Sequence, residues 1–276
     1  MLRRAAVAGS WYPGSPERLS AELTAHLQRA DQATSTDAPP TADLVGLIAP
    51  HAGLMYSGPV AAYAYRLLRD RAFDLTVLVG PSHFVPFEGV SVWSSGAFET
   101  PFGKLLVDDR ATAEVVASCP VVKDLRSAHE REHSLEMQLP FLKLLAPDTA
   151  ILPLVMGQQT RATVFALADA LATVAQERRT LLVASSDLSH YQHAAVAARL
   201  DQQVIDRVEE MDDDGLMGLL EKRPDHACGG GPMVSVLRAA KAVGARSCEV
   251  LRYADSGDVS GDKSAVVGYL AAAVWK

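Results

Sequence analysis

An α/β fold, one domain with a mixed, largely parallel sheet flanked by helices, is what three features of this 276-residue chain predict. From Leu44 onward, short apolar β-branched runs alternate with stretches of helical periodicity, the pattern of strands joined through crossover helices. The hydrophobic fraction is 49% but the aromatic fraction only 6%, so Ala, Val and Leu do the packing, which suits helices laid on a sheet. Several of the apolar runs stop at Pro or Gly and then present His or Asp, as strand ends do in open α/β sheets, where ligands sit.

Taken in order, the first element is a helix over Pro16–Arg29, with Leu19, Leu23 and Leu27 at helical spacing and Ser15 as its cap. Asp31–Asp43, rich in Thr, Ala and Pro, reads as a flexible loop too short to separate two domains, so residues 1–276 form one unit. Val45–Ala49 is a strand and Ser57–Arg69 a helix, followed by a strand at Leu75–Val79. Val90–Trp93 and Leu105–Val107 read as an added strand pair across a loop holding Pro101 and Gly103. Helical patterns follow at Arg110–Ala117 and at Glu132–Leu145, the second broken by Pro140. Ile151–Val155 is a strand, Thr160–Gln176 a helix and Leu181–Ala184 a strand. Two helices fill Ala194–Leu220, a third runs from Pro232 to Val243, and strands at Glu249–Tyr253 and Ala265–Val274 close the chain around an Asp255–Asp262 turn.

Composition excludes several function classes. A net charge of −7 without a Lys/Arg stripe argues against nucleic-acid binding. The last apolar run, Ser264–Trp275, is too short to span a bilayer, and Gly9, Ser10 and Pro13 interrupt any signal-like segment, so no membrane association is expected. Three scattered cysteines form no disulfide framework and fit reduced thiols and a cytoplasmic location. The sequence is silent on oligomeric state. Asp212-Asp213-Asp214 reads as a solvated helix boundary.

The residues that can carry chemistry lie at the predicted strand ends. His51 follows Ile-Ala-Pro, His83 follows Gly-Pro-Ser, and Cys228 precedes three glycines. Each alone has an ordinary structural reading, since a strand-end His is usually a hydrogen-bonded structural residue. Together they make a His-His-Cys set that suits iron, copper or zinc and leaves coordination positions open. Gly229-Gly230-Gly231 before a helix favours a thiolate at Cys228 and could hold an anion. Asp187 and His190 are three apart, the pairing by which a carboxylate orients a general base, although Asp187 could equally cap a following helix. His129-Glu130-Arg131-Glu132-His133 spells the zinc metallohydrolase motif in a poor context, with two charged residues inside it and Pro140 soon after. His133 and Glu136, one turn apart on a predicted helix, are read as facing the pocket.

These residues resemble the Memo family over essentially the whole chain. The resemblance rests on Ala8-Gly9-Ser10-Trp11-Tyr12-Pro13, Ala49-Pro50-His51-Ala52-Gly53, Tyr56-Ser57-Gly58, Gly80-Pro81-Ser82-His83 and Thr100-Pro101-Phe102-Gly103. It continues through Glu132-His133-Ser134-Leu135-Glu136, Gln138-Leu139-Pro140-Phe141, Ser186-Asp187-Leu188-Ser189-His190-Tyr191, Cys228-Gly229, Ser256-Gly257-Asp258 and Val267-Gly268-Tyr269. The family's fold is similar to that of class III extradiol dioxygenases, which hold Fe(II) with two His and one carboxylate. The resemblance thus implies His51 and His83 as ligands, His190 as the base, and Cys228 where the dioxygenases place a carboxylate. It implies Fe(II) or copper as the cofactor, with zinc a further candidate, and a dioxygenase-like oxidoreductase or a non-catalytic metal- or peptide-binding scaffold. A small-molecule or peptide ligand and a functional link to a radical-SAM enzyme follow on the same footing. Trp11, Tyr56 and Phe84 are candidates for the pocket wall, suited to an aromatic or planar ligand.

Overall fold

In the computed structural model, which describes residues 1–34 and 43–276, a nine-stranded mixed sheet runs through the centre of the molecule. Its strands are β2 (Leu44–Ala49), β3 (Leu75–Pro81), β4 (Val90–Val92), β7 (Val122–Asp124), β8 (Ala150–Met156), β9 (Thr180–Ser185), β10 (Asp187–Gln192), β11 (Ser247–Asp255) and β12 (Val266–Trp275). A separate three-stranded sheet joins β1 (Leu2–Arg3), β5 (Ala97–Thr100) and β6 (Gly103–Leu106). The order in the large sheet is β10-β12-β2-β9-β3-β8-β4-β7, with β11 along the other edge of β12.

The centre of this sheet, β2-β9-β3-β8, is parallel, and β12, β10, β11 and β4 add antiparallel pairings around it. Parallel strands need helices on both faces. Val77, Val79, Leu182 and Ala184 accordingly point into one apolar core beneath the helices Arg161–Gln176 and Gly230–Ala242, while Leu78, Leu181 and Val183 alternate into the other. That second core lies beneath the helices Pro16–Ala33 and Leu54–Tyr65. The parallel register sets the carboxyl ends of β2, β9 and β3 side by side, and the segments after Ala49, Ser185 and Pro81 leave the sheet together.

Most predicted elements stand where periodicity put them. Ser15 caps the first helix, accepting from the Arg18 amide, and Thr160 caps Arg161–Gln176. The predicted loop 31–43 is helical through Ala33, and its residues 35–42 lie outside the described residues. The pairing of Val90–Trp93 with Leu105–Val107 is corrected: β4 joins the large sheet between β8 and β7, whereas β6 pairs with β5 in the small one. Pro140 starts a helix instead of breaking one. It occupies the first turn of Leu139–Leu145, where its missing N–H is no loss, after a 3₁₀ turn at Glu136–Gln138. The acidic run is not wholly solvated, because Asp213 is buried and paired with Arg238 and Lys241, while Asp212 caps its helix. Among the described residues no helix is long and apolar enough to cross a membrane.

Candidate metal centre

His51, His83 and Cys228 meet at the carboxyl ends of β2 and β3 and the loop before Gly230–Ala242, with their ligand atoms all within 4.8 Å of one another. His51 is buried and His83 reaches solvent. Cys228 Sγ stands 3.2 Å from His51 Nε2, and the two imidazoles face each other edge-on with centroids 5.2 Å apart.

Hydrogen-bond accounting settles which ring nitrogens are free. The Ser185 hydroxyl gives its one proton to the Ser134 carbonyl at 2.6 Å and accepts from Gln138 Nε2 at 2.8 Å. Gln138 is itself oriented, since its Oε1 accepts from Tyr65 and its Nε2 also donates to the Pro50 carbonyl. Ser185 has no second proton, so the 2.8 Å contact to His51 Nδ1 is an Nδ1–H donation and the Nε2 lone pair is left facing Cys228. His83 is fixed likewise. Its Nδ1 donates to Glu132 Oε1 at 2.8 Å and its backbone amide to Oε2 at 2.6 Å, which leaves Nε2 free. Both imidazoles thus commit Nδ1 to a partner and leave Nε2 toward the shared space, the arrangement that orients metal-binding histidines.

Burial and neighbouring charges set the electrostatics of these groups. Burial, then the neighbouring His83, holds His51 well below the ordinary imidazole range. Burial and the carboxylate of Asp187 push the Cys228 thiol up, so a thiolate there calls for a cation beside it. Burial opposes ionisation of Glu132, but the hydrogen bonds from His83 and the Ser134 amide win and lower it to about 2. Glu132 is the residue that sequence reasoning missed. Its position in a charged run reads as solvent-facing, and its partner His83 is 49 residues away.

The remaining predicted residues divide. His133 stacks on His83 with centroids 4.4 Å apart, and Trp11 and Phe84 lie against His133 at 4.3 and 5.8 Å, partly exposed at the mouth. The Asp187–His190 pair is corrected. Both sit on β10, and His190 Nδ1 donates to the Leu188 carbonyl at 2.8 Å, while Asp187 Oδ1 accepts the His51 amide at 2.7 Å. Asp187 therefore holds the backbone of the turn that carries His51, and it caps no helix, because His193 caps the next one. Burial pushes its carboxyl up to about 6 against those amide bonds and His190. Glu136 does not line the pocket. It is fully buried, ion-paired with Arg3, and accepts from the amides of Ala6 and Val7 and from the Tyr12 hydroxyl. Tyr56 lines a separate cavity. The zinc hydrolase motif is also dispersed. His129 lies in the one-turn helix Ser127–Glu130, bonds the Ser91 carbonyl and packs near Trp93 and Phe98, apart from the donor cluster. Nor do the glycines after Cys228 cradle an anion. A Cβ on Gly229 would lie 2.3 Å from the Ser185 carbonyl, so this glycine permits close approach, and the amides of Gly229 and Gly231 are taken by Ser186 and Gln159.

The fold and this donor set define an α/β protein with two imidazoles and a thiol gathered at a strand-end pocket. Residues 3–273 match the model of Memo-like proteins. Relatives described as MEMO1 family proteins come from Methanopyrus kandleri (38% identical, 98% of each chain covered), Methanothermobacter thermautotrophicus (36%, 98% of this chain and 99% of the other) and Nitrosopumilus maritimus (35%, 98% of each). The chain belongs to the Memo family. Its fold is similar to that of an uncharacterized Escherichia coli K12 protein known from a crystal structure, with a TM-score of 0.56 at 13% identity over 82% of this chain and 99% of that one.

Proposed function

We propose that the protein binds Fe(II) or copper through His51 Nε2, His83 Nε2 and Cys228 Sγ and acts as a dioxygenase-like oxidoreductase on a small planar substrate. The observation that carries this reading is the pair of locked tautomers, which aims two lone pairs at the space beside Cys228 Sγ. The donor types fit such an ion, since imidazole and thiolate suit iron, copper and zinc. When bound, the ion would supply redox chemistry, with three protein donors leaving positions for oxygen and substrate.

The chain's own residues then divide the remaining work. Ser185 and Glu132 keep the two imidazoles in their donor tautomers, and Asp187 holds the turn that presents His51. His190 commits Nδ1–H to the Leu188 carbonyl, so its Nε2 is the atom to accept a substrate proton. Trp11 and Phe84 border the site as flat apolar walls that favour a planar ligand over water. We place the protein in the cytoplasm, with a small-molecule or peptide ligand and a radical-SAM enzyme as its functional neighbour.

One observation favours a second reading, a metal-binding scaffold without turnover. Cys228 is a softer donor than a carboxylate and is itself open to oxidation. Oxygen uptake by the Fe(II)-loaded protein with catechol-type substrates separates the two. Substrate-dependent uptake that vanishes in His190→Ala supports the dioxygenase-like reading. Metal bound without uptake on any such substrate would remove ring cleavage and leave the scaffold.

A further inference from the structure

Tyr56 lines a cavity of about 250 Å³ together with His26, Arg29, Tyr63 and Arg252, where the helices Pro16–Ala33 and Leu54–Tyr65 meet the end of β11. Its walls include residues of two segments that the metal centre leaves unused, Tyr56-Ser57-Gly58 and Ser256-Gly257-Asp258.

The first observation is an unsatisfied imidazole. The His26 side chain is only 7% exposed, yet among the described residues neither ring nitrogen has a hydrogen-bond partner. The nearby carboxylate of Glu22 stops 3.8 Å from Nε2, beyond hydrogen-bond range. Buried polar groups without partners are costly and uncommon in folded proteins. Gly58 brings the ring into this position, because a Cβ there would lie 3.1 Å from His26 Cδ2 and 3.2 Å from Nε2.

The second observation is charge. Asp255 and Asp258 border the cavity, but Lys263 Nζ donates to both, at 2.8 and 2.6 Å, and the amides of Gly257 and Asp255 add a bond to each. Lys263 offsets one of the two carboxylate charges, so with Arg29 and Arg252 the cavity keeps one net positive charge. Arg29 and Arg252 form no ion pair among the described residues, and Arg252 lies over the Tyr63 ring at 5.7 Å from its centroid. The cavity is thus bordered by two exposed guanidiniums in no ion pair among the described residues, a buried imidazole whose nitrogens lack partners there, and two phenol rings.

We propose that this cavity is a second binding site, distinct from the metal centre, for a small oxyanion-bearing molecule. The anionic group pairs with Arg29 and Arg252 and bonds His26, while Tyr56 and Tyr63 flank the body of the ligand. Guanidinium suits carboxylate and phosphate alike, so the headgroup chemistry is shared between them.

Inorganic phosphate and benzoate, titrated separately into the metal-free full-length protein, test the proposal by NMR of the histidine rings and amides. The expected result is saturable binding of at least one probe, with shifts centred on His26 and Tyr63. An Arg29→Gln/Arg252→Gln double variant, at two exposed positions and with unchanged melting, should weaken that binding by roughly tenfold or more. Phosphate binding alone would make the anion the recognised group, and tighter benzoate binding would add the tyrosines. Shifts centred instead on His51 and His190, binding indifferent to both arginines, or no saturation by either probe at tens of millimolar would each overturn it.

Discussion

Glu132 and Ser185 show how much of the placement of His51 and His83 is set by residues outside the His51–His83–Cys228 cluster. Each fixes one imidazole by taking its Nδ1–H, and without that bond the ring is free to turn or to exchange tautomers. Glu132→Gln keeps the size and an amide oxygen but loses the ionised acceptor that binds His83 through both its ring and its backbone. We expect metal affinity to fall roughly 10–100-fold with little change in fold, read by competition against a chelator of known affinity. Affinity equal to the parent's would show that Glu132 does not set the His83 tautomer. Sequence spacing reached the two histidines because each follows an apolar run, whereas Cys228, read as a strand end, sits in the loop between the Pro224–His226 turn and the helix Gly230–Ala242. Spacing could not reach Glu132, whose meaning lies in a contact between β3 and the segment before the Glu136–Gln138 turn. The Asp187–His190 dyad was misread for a geometric reason. Residues three apart share a face on a helix but not on a strand, and this segment is a strand.

At the scale of elements, the N-terminal segment is fastened to the loop that carries Glu132 and His133. Arg3 bonds the carbonyls of His129 and Glu132 and pairs with Glu136, all in a buried setting. Removing one partner of a buried pair leaves an uncompensated charge, so Glu136→Gln should destabilise the fold by about 3–5 kcal/mol in denaturant unfolding. Its metal stoichiometry below the transition should match the parent's, since Glu136 is absent from the donor cluster; loss of metal from a folded variant would return Glu136 to the pocket. The long apolar runs were legible because burial on both sheet faces leaves no other use for such sequences. The short strands β1, β5 and β7 were not, since two to four residues carry no periodicity and are strands only through their partners. β10 was hidden as well, because Asp, Ser, His, Tyr and Gln fill a strand that edges onto β12.

For the molecule as a whole, acid stability rests on several buried imidazoles held below their ordinary range, of which His129 is one outside the donor cluster. Burial, then the charge of Arg3, lowers its imidazole to about 4 from an ordinary 6.5. The unfolded chain takes up this proton near 6.5 and the folded chain only near 4, so stability from this group is complete above 6.5 and is lost as pH falls through the window. The difference corresponds to ~3 kcal/mol. Asp187, pushed up to about 6, acts in the opposite sense over an overlapping range, so the comparison is between parent and variant. His129→Gln should lose less stability than the parent between pH 6.5 and 4 by about that amount. Parallel curves for the two proteins would assign the acid sensitivity elsewhere.

The claim on which the account turns is that His51, His83 and Cys228 hold a metal ion as a unit. Elemental analysis of protein purified without oxygen, beside His51→Ala and Cys228→Ala, tests it most directly. The account requires near-stoichiometric iron or copper in the parent and its loss from both folded variants. A parent that carries no metal and takes up neither Fe(II), Cu(I) nor Zn when offered them would contradict it.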